Sequence, residues 1–522
     1  MTICTRFTGR RTLRCCPCLS RLPASPAEGR QGVRLNFGKW KGTATKMNLR
    51  YDPADNQAFW DAVRRLPGFP HGDEIPLRWM VIAEDGLERL PGILRQLDPS
   101  GASPVLVVMD PTPMRRGADD LKPLVLSRLR LAGWEARPLV LQPDASGQVH
   151  TDMLQIGAVQ GRLQPGCIAL ALGSGVVTDV TKHACYLYHQ AGGPPLPFAV
   201  YQTANSVSAF TSDMAPVFVD GVKRTLPSRY ADALVCDLPT LQDAPLEMTL
   251  AGVGDLLAAY VSLPDWYLAY RLGMDPSYNE LPAALLGPLD EILAHNAAAF
   301  HDRTPAGMAL LAKLISLGGL AMSLAHATTP MSGYEHVLSH VLDMFSEVEG
   351  LPLAPHGLQV ALASVLGAGM YQAFLRDFRP EAVQIETCYP PEPAMQAQIE
   401  AAFFTIDPSG RAGRECWSDY RQKLERWSGQ REALQDCLAG WPALRLRLEQ
   451  MTTSPQRLQA ILRAIQAPLR FADLNPPASP AQVHFAYLNA PLMRKRLTLG
   501  DLLIFFGWDR EALWQECWPL CS

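Results

Sequence analysis

Two histidines four residues apart, His336 and His340, lie in the run Ser332-Gly333-Tyr334-Glu335-His336-Val337-Leu338-Ser339-His340. On a helix such a pair shares one face, which suits a metal ion, or one ligand with a supporting neighbour. Upstream stands Ala251-Gly252-Val253-Gly254-Asp255, and downstream Pro355-His356-Gly357. With one histidine of the pair as ligand, one carboxylate and one distant histidine complete a His₂Asp set with an open fourth position, the donor pattern of a catalytic rather than a structural zinc. A second chemistry is written between Cys167 and Lys182, where an apolar run of strand length ends in Gly173-Ser174-Gly175 and passes into a helical segment. Unhindered backbone N–H groups at a helix N-terminus hold phosphate. The GxGxxG fingerprint is not met, because Thr178 stands where the third glycine would be.

Elements that could position these residues follow from the hydrophobic pattern. Between Ile75 and Asp237, apolar runs of strand length alternate with helical patterns, the signature of a parallel sheet with crossover helices. Strands are expected at 78–83, 104–109, 137–142, 167–172 and 198–201, with helices over 86–97 and 151–162. The second strand ends at Asp110, where an acid can accept from ribose hydroxyls; a turn-forming Asp before Pro111 is the competing reading. The strand at 198–201 runs into Gln202-Thr203-Ala204-Asn205-Ser206, a loop of small polar residues suited to a ligand. A hairpin is expected over 216–223 with Asp220-Gly221 as its turn. From Leu246 helical periodicity dominates. The chain is therefore read as residues 1–46, an extension or upstream start; 47–240, an α/β nucleotide-binding domain; and 241–522, an all-α metal-binding domain.

Composition narrows the class. Of 522 residues 48% are hydrophobic and 19% charged, enough for a large core. Residues 1–46 hold ten Arg or Lys against one acid, Glu28; without them 37 basic residues face 50 acidic ones, and the net charge goes from −4 to −13. A body of that charge does not bind nucleic acid through a broad basic surface. The longest apolar tract, Ala309 to Ala327, is interrupted by Lys313 and Gly318-Gly319, which reads as a buried helix and not a membrane span. Outside Cys15-Cys16-Pro17-Cys18 the cysteines are scattered, with Cys185 and Cys236 in apolar runs, as expected of free thiols in a cytoplasmic protein.

Taken in order, Gly173-Ser174-Gly175-x-x-x-Asp179-x-x-Lys182, Thr203-x-x-Ser206, Ala251-Gly252-x-Gly254-Asp255, Asp265-Trp266, Ser332-Gly333-x-Glu335-His336-x-x-Ser339-His340, His356-Gly357 and Met493-Arg494-Lys495-Arg496-Leu497 resemble the sn-glycerol-1-phosphate dehydrogenase family. That family lies within the iron-containing alcohol dehydrogenase and dehydroquinate synthase-like superfamily. The resemblance implies a Rossmann-like parallel sheet followed by a helical domain. It implies NAD or NADP at Asp110, Gly173, Ser174, Gly175, Asp179, Thr203 and Ser206. It also implies one divalent metal, zinc with iron or nickel as alternatives, on Asp255, His336 and His356. His340 is placed beside it as the catalytic candidate, on the substrate side. The implied reaction is reversible hydride transfer to dihydroxyacetone phosphate, giving sn-glycerol 1-phosphate. The substrate is thus a small polyol or polyol phosphate, and a homo-oligomer is among the assemblies compatible with the family.

Three departures from the family's pattern fall where substrate is expected. The family usually has Asp-Gly after the Thr-x-x-Ser loop, and here Val207-Ser208-Ala209 follows Ser206. It usually has Lys at the position of Ala259 and Arg-Pro at Thr329-Pro330. Lost cations matter for a phosphate ester, so three readings stand: the substrate pocket has drifted, it draws its charge from Lys182, Lys223 or Arg224, or the lost residues never touch phosphate. Beyond Asp110, Arg115 and Arg116 stand where a 2′-phosphate of NADP could be received.

Overall fold

In the computed structural model the described residues are 49–66, 69, 77–145, 147–219 and 222–522. Residues 1–46 and the Asp220-Gly221 turn lie outside them. Residues from Thr45 to Ser522 belong to one compact unit. Its sheet has six parallel strands, β1 (Trp79–Ala83), β2 (Val105–Met109), β5 (Ala136–Val140), β6 (Ile168–Gly173), β7 (Phe198–Gln202) and β10 (Ala233–Asp237), in the order β1-β10-β7-β6-β2-β5. Two short antiparallel pairs stand apart from it: β3 (Arg115–Arg116) with β4 (Asp119–Asp120), and the expected hairpin, β8 (Met214–Val219) with β9 (Val222–Pro227).

Strand character follows position. β2, β6, β7 and β10 are buried along their whole length, so they read as continuous apolar runs. β5 pairs only with β2, and as an edge strand it tolerates Pro138 and exposes Arg137. Helices cover both faces. Gly86–Leu97 and Leu121–Leu131 pack Leu87, Leu90, Leu94, Leu121, Val125 and Leu129 on one face; Met153–Gln160 and Gly175–Gln190 add Ile156, Val159, Val177 and Val180 to the core on the other. The helix at 121–131 and the central strand β10 were not singled out in the sequence.

β5 and β6, consecutive in the chain order of the sheet, lie on opposite sides of β2. The crevice between the C-terminal ends of β2 and β6 is therefore the point where strand order reverses, and ligands of open α/β sheets bind there. Asp110 follows β2 and the Gly-Ser-Gly turn ends β6, with Thr203 just beyond the adjacent β7.

After Asp237 the described chain is helical. The helix Leu246–Leu256 packs lengthwise on His356–Asp377 with almost no side chain between them. A Cβ on Gly254 would lie 2.3 Å from the Gly357 carbonyl oxygen, and one on Gly357 would lie 1.9 Å from that of Ala251. Only glycines permit this approach. The tract near Ala309 is the helix Pro305–Leu324, with 78% of its most apolar window buried. Two other stretches that the sequence pattern did not bring out, Leu246–Arg271 and His356–Asp377, are also long and apolar enough to span a membrane; those windows are 72% and 94% buried inside the protein. Their apolar surface is used by the core. All eight described cysteines are unpaired and buried, Cys185 and Cys236 among them.

Candidate functional site

The glycine approach just described sets Asp255, at the end of its helix, against His356, the first residue of the other. His336 and His340 come from the helix Tyr334–Glu349. One ligand atom each from Asp255, His336 and His356 lies within 4.8 Å of the others, and the three residues are buried or nearly so. His336 Nε2 is 3.5 Å from Asp255 Oδ1. His340 stacks on His356 with ring centroids 5.6 Å apart and meets His336 edge to face at 6.3 Å.

Each of the three groups is held from behind. Asp255 Oδ2 accepts from the Ser208 backbone N–H at 2.9 Å and from its hydroxyl at 2.8 Å. His336 Nδ1 is 2.8 Å from Glu335 Oε1, which also accepts from the Gly333 N–H at 2.7 Å. A carboxylate can only accept, so Nδ1 carries a proton and Nε2 faces Asp255. Ser339 donates its hydroxyl to Gln359 Oε1 at 2.7 Å and lies 3.1 Å from His356 Nδ1. With its proton given to Gln359, Ser339 accepts from Nδ1–H and leaves the His356 Nε2 lone pair free.

The local field is negative at one end and positive at the other. Burial alone would depress His336, but the Asp255 and Glu335 carboxylates outweigh it and push the imidazole up to about 9. Burial would raise Asp255, and the hydrogen bond and charge of His336, with help from His356 and Ser208, hold it below the usual carboxylate range. His356 and His340 are driven well below the ordinary histidine value by burial and then by the charge of Lys223. Both are neutral donors at physiological pH. Two neutral-capable imidazoles and a carboxylate, converging in a buried pocket with a surplus of negative charge, fit a divalent cation of the zinc, iron or nickel type. Arg494 lies 3.3 Å from His340 Nδ1, so Nδ1 accepts and the His340 Nε2–H is left as a donor.

The Gly173-Ser174-Gly175 turn has an open helix end. Ser174 is the N-cap residue of Gly175–Gln190 and makes no side-chain cap bond. A Cβ on Gly175 would lie 2.7 Å from Val207 Cγ2, so the turn sits directly on the loop after β7. Thr203 and Ser206 are buried in that loop, and the Thr203 N–H donates to the Gly173 carbonyl at 3.1 Å. Asp110 Oδ1 accepts from Thr112 N–H at 3.1 Å, as a turn residue does, and lies 3.5 Å from Lys122 Nζ.

Several predicted positions have other partners. Asp179 is buried and ion-paired with Lys182 at 2.8 Å; Lys182 in turn donates to the carbonyls of Ala209 at 3.0 Å and Ser212 at 3.2 Å. The pair braces the loop that carries Ser208. Arg116 is bound by Asp237 at 2.8 Å and Glu88 at 3.2 Å, which leaves only the exposed Arg115 facing outward at this end. Lys223 pairs with Asp343 at 2.7 Å, and Arg224 with Glu415 at 2.6 Å. Of the three departures, Ser208 turns out to support Asp255, Ala259 is buried at a helix start, and Thr329 opens a 3₁₀ turn. Asp265, in a quoted motif but without an assigned role, accepts from the Tyr334 N–H, the Leu499 N–H and the Tyr371 hydroxyl at 2.9, 2.9 and 2.5 Å. It anchors the start of the His336 helix. Ser208 and Gln359 lie outside the motifs given above, and Ser339 and Arg494 stand in them without an assigned role; the partners of all four lie on other elements.

A model of the iron-containing alcohol dehydrogenase family matches residues 81–245. The fold aligns with an archaeal halo-thermophilic Red Sea brine pool alcohol dehydrogenase (TM-score 0.50, 12% identity, 86% of this chain and 98% of that one). It aligns equally with an alcohol dehydrogenase from Oenococcus oeni (TM-score 0.50, 13% identity, 82% and 97%). Sheet, turn and helical half thus define a protein of the iron-containing alcohol dehydrogenase class. Within that class, the chain is 30% identical over 274 residues to the glycerol-1-phosphate dehydrogenase [NAD(P)+] of Bacillus subtilis, covering 52% of this chain and 67% of that one. It is 32% identical over 251 residues to that of Bacillus velezensis (48% and 62%) and 26% identical over 303 residues to that of Pyrococcus furiosus (58% and 80%). The chain belongs to the glycerol-1-phosphate dehydrogenase family, and the matched stretch spans about two thirds of the first of these relatives.

Proposed function

We propose that this protein is a metal-dependent NAD(P) oxidoreductase that reduces the carbonyl of dihydroxyacetone phosphate to sn-glycerol 1-phosphate and runs the reverse reaction. One observation carries the reading: Gly175 of the cofactor turn touches Val207, and the next residue, Ser208, holds Asp255 of the triad. Cofactor and carbonyl are thereby brought to one cleft, with residues 47–240 serving the nucleotide and 241–522 the metal.

Asp255, His336 and His356 would hold the metal, which when bound supplies a Lewis acid for the carbonyl oxygen. The rest falls to the chain. The N-terminus of Gly175–Gln190 and the Gly173-Ser174-Gly175 backbone receive the pyrophosphate, and Asp110 stands at the ribose position. His340, neutral and presenting Nε2–H, is placed to orient a substrate oxygen. Asp255 and His340 are buried and His336 and His356 nearly so, which limits the access of water to the reacting carbonyl. Unpaired, buried cysteines support a reducing, cytoplasmic setting.

The test is NADH and NADPH oxidation after separate loading with zinc, iron and nickel, with dihydroxyacetone phosphate and dihydroxyacetone as substrates and the chirality of the product determined. Turnover of the phosphate ester to the sn-1 product is expected. Turnover of dihydroxyacetone alone would move the protein to the general polyol dehydrogenases, and no turnover with no bound metal would make it a non-catalytic relative.

A further inference from the structure

A phosphate ester brings close to two negative charges, and donors in the substrate pocket must meet them. Positions 259 and 329 offer alanine and threonine. The neighbouring cations are already engaged: Lys182 by Asp179, Lys223 by Asp343, and Arg224 by Glu415 and Asp419. Arg496 is taken up by Ser332 and Thr328, where it pins the loop ahead of the His336 helix.

Arg496 and Arg494 both have only neutral partners, but Arg494 is the one of these cations that bonds to His340, beside the triad. It is 6% exposed and makes no ion pair among the described residues. Its hydrogen-bond partners are neutral, the Lys223 carbonyl oxygen and His340 Nδ1. Burial and the like charges of Arg496 and Arg224 act against its charged form, and the carboxylate that favours it, Asp419, is already bonded to Arg224. A buried guanidinium without its own counter-ion is costly to the fold. The cost is explained if the counter-ion arrives from solution.

We infer that Arg494, bonded to His340 Nδ1, is the anion subsite of the substrate pocket and receives the phosphate monoester of the substrate. The location is chemically apt. His340 stacks on His356, so an anion on Arg494 lies one imidazole away from the triad. The guanidinium offers a planar fork that matches two phosphate oxygens. The arginine thus replaces, from the C-terminal segment, the charge that positions 259 and 329 lack.

This assignment rests on the proposed reaction only for the identity of the ester, and its test has two arms on the full-length, zinc-loaded protein. In the first, inorganic phosphate is titrated while thermal stability and direct binding are followed. The wild type is expected to bind and to gain stability, and Arg494→Gln to bind roughly 10- to 100-fold more weakly, the range of charge-assisted hydrogen bonds. In the second, kcat/KM is measured for dihydroxyacetone phosphate and for dihydroxyacetone. The preference for the phosphorylated substrate should fall by a similar factor of about 10 to 100 in Arg494→Gln, chiefly through KM. Arg494→Lys, which keeps the charge and loses the fork, should lie between, and it serves alone if Arg494→Gln does not fold. Phosphate binding unchanged in either variant, or an unchanged substrate preference, overturns the assignment. A wild type that binds phosphate through Arg494 and reduces neither substrate would sink the proposed reaction and leave the subsite standing.

Discussion

Ser208 gives both its backbone N–H and its hydroxyl to a single oxygen of Asp255, Oδ2, and so turns the other oxygen, Oδ1, toward His336. Ser208 sits in the segment that departs from the family's usual Asp-Gly. The departure therefore also bears on how the Asp255 carboxylate is held.

Ser208→Ala removes one of those two donors and leaves the backbone one. Zinc affinity, read by competition with a chelator, is expected to fall roughly tenfold, as is usual for groups behind a metal ligand. Folding stability should drop by about 1–2 kcal/mol. Unchanged zinc affinity would show that Ser208 is only a loop residue.

Ser339 and Gln359 fix the tautomer of His356 through Nδ1. Ser339→Ala leaves that proton without its acceptor and lets the ring rotate. Zinc affinity should fall about 10- to 100-fold, with partial recovery in Ser339→Thr, which keeps the hydroxyl. Equal losses in both variants would point to packing and not to the hydroxyl.

Gly357→Ala places a methyl group 1.9 Å from the Ala251 carbonyl oxygen, closer than any relaxation of a flexible side chain could relieve. The two helices must part. A loss of about 1–3 kcal/mol or more in thermal unfolding is expected, together with weakened zinc binding because Asp255 and His356 separate. Wild-type stability would mean that the helices are not in backbone contact.

His150, in the segment leading to Met153–Gln160, pairs with Glu347 near the end of the His336 helix at 2.9 Å. The Glu347 hydrogen bond outweighs burial and raises the imidazole above its ordinary value of 6.5. A raised histidine stabilises the fold when protonated: its contribution is complete below about 6.5, the unfolded value, and is lost as pH rises through the higher folded value. The melting temperature of the wild type should therefore decline more steeply than that of His150→Gln as pH rises above about 6.5. Parallel pH profiles would remove the pair from the account.

Much of the sheet was legible from residue order alone, because a strand buried on both faces has to be apolar throughout, and runs such as Ile168–Leu172 have no other use. The glycine turn and the His336 helix were legible for a similar reason: their chemistry is written in consecutive residues. The central strand Ala233–Asp237 escaped notice beside the change to helical character that follows it. Arg115-Arg116 read as a phosphate-binding pair, and only the fold shows Arg116 committed to Asp237, 121 residues away.

By itself, then, the sequence determined the alternation of strands and helices and the Gly-Ser-Gly turn, since hydrophobic period and turn chemistry are local properties, while Asp255, His336 and His356 were expected as a donor set through the resemblance of their motifs to a family. Tertiary structure alone decided that Gly254 and Gly357 let two helix backbones touch so that those donors meet. It also decided that Ser208 and Ser339 support them, and that Arg494, without a carboxylate of its own, sits against His340. These are relations between segments tens to hundreds of residues apart, set by packing and by which charge is buried beside which, and no local spacing encodes them.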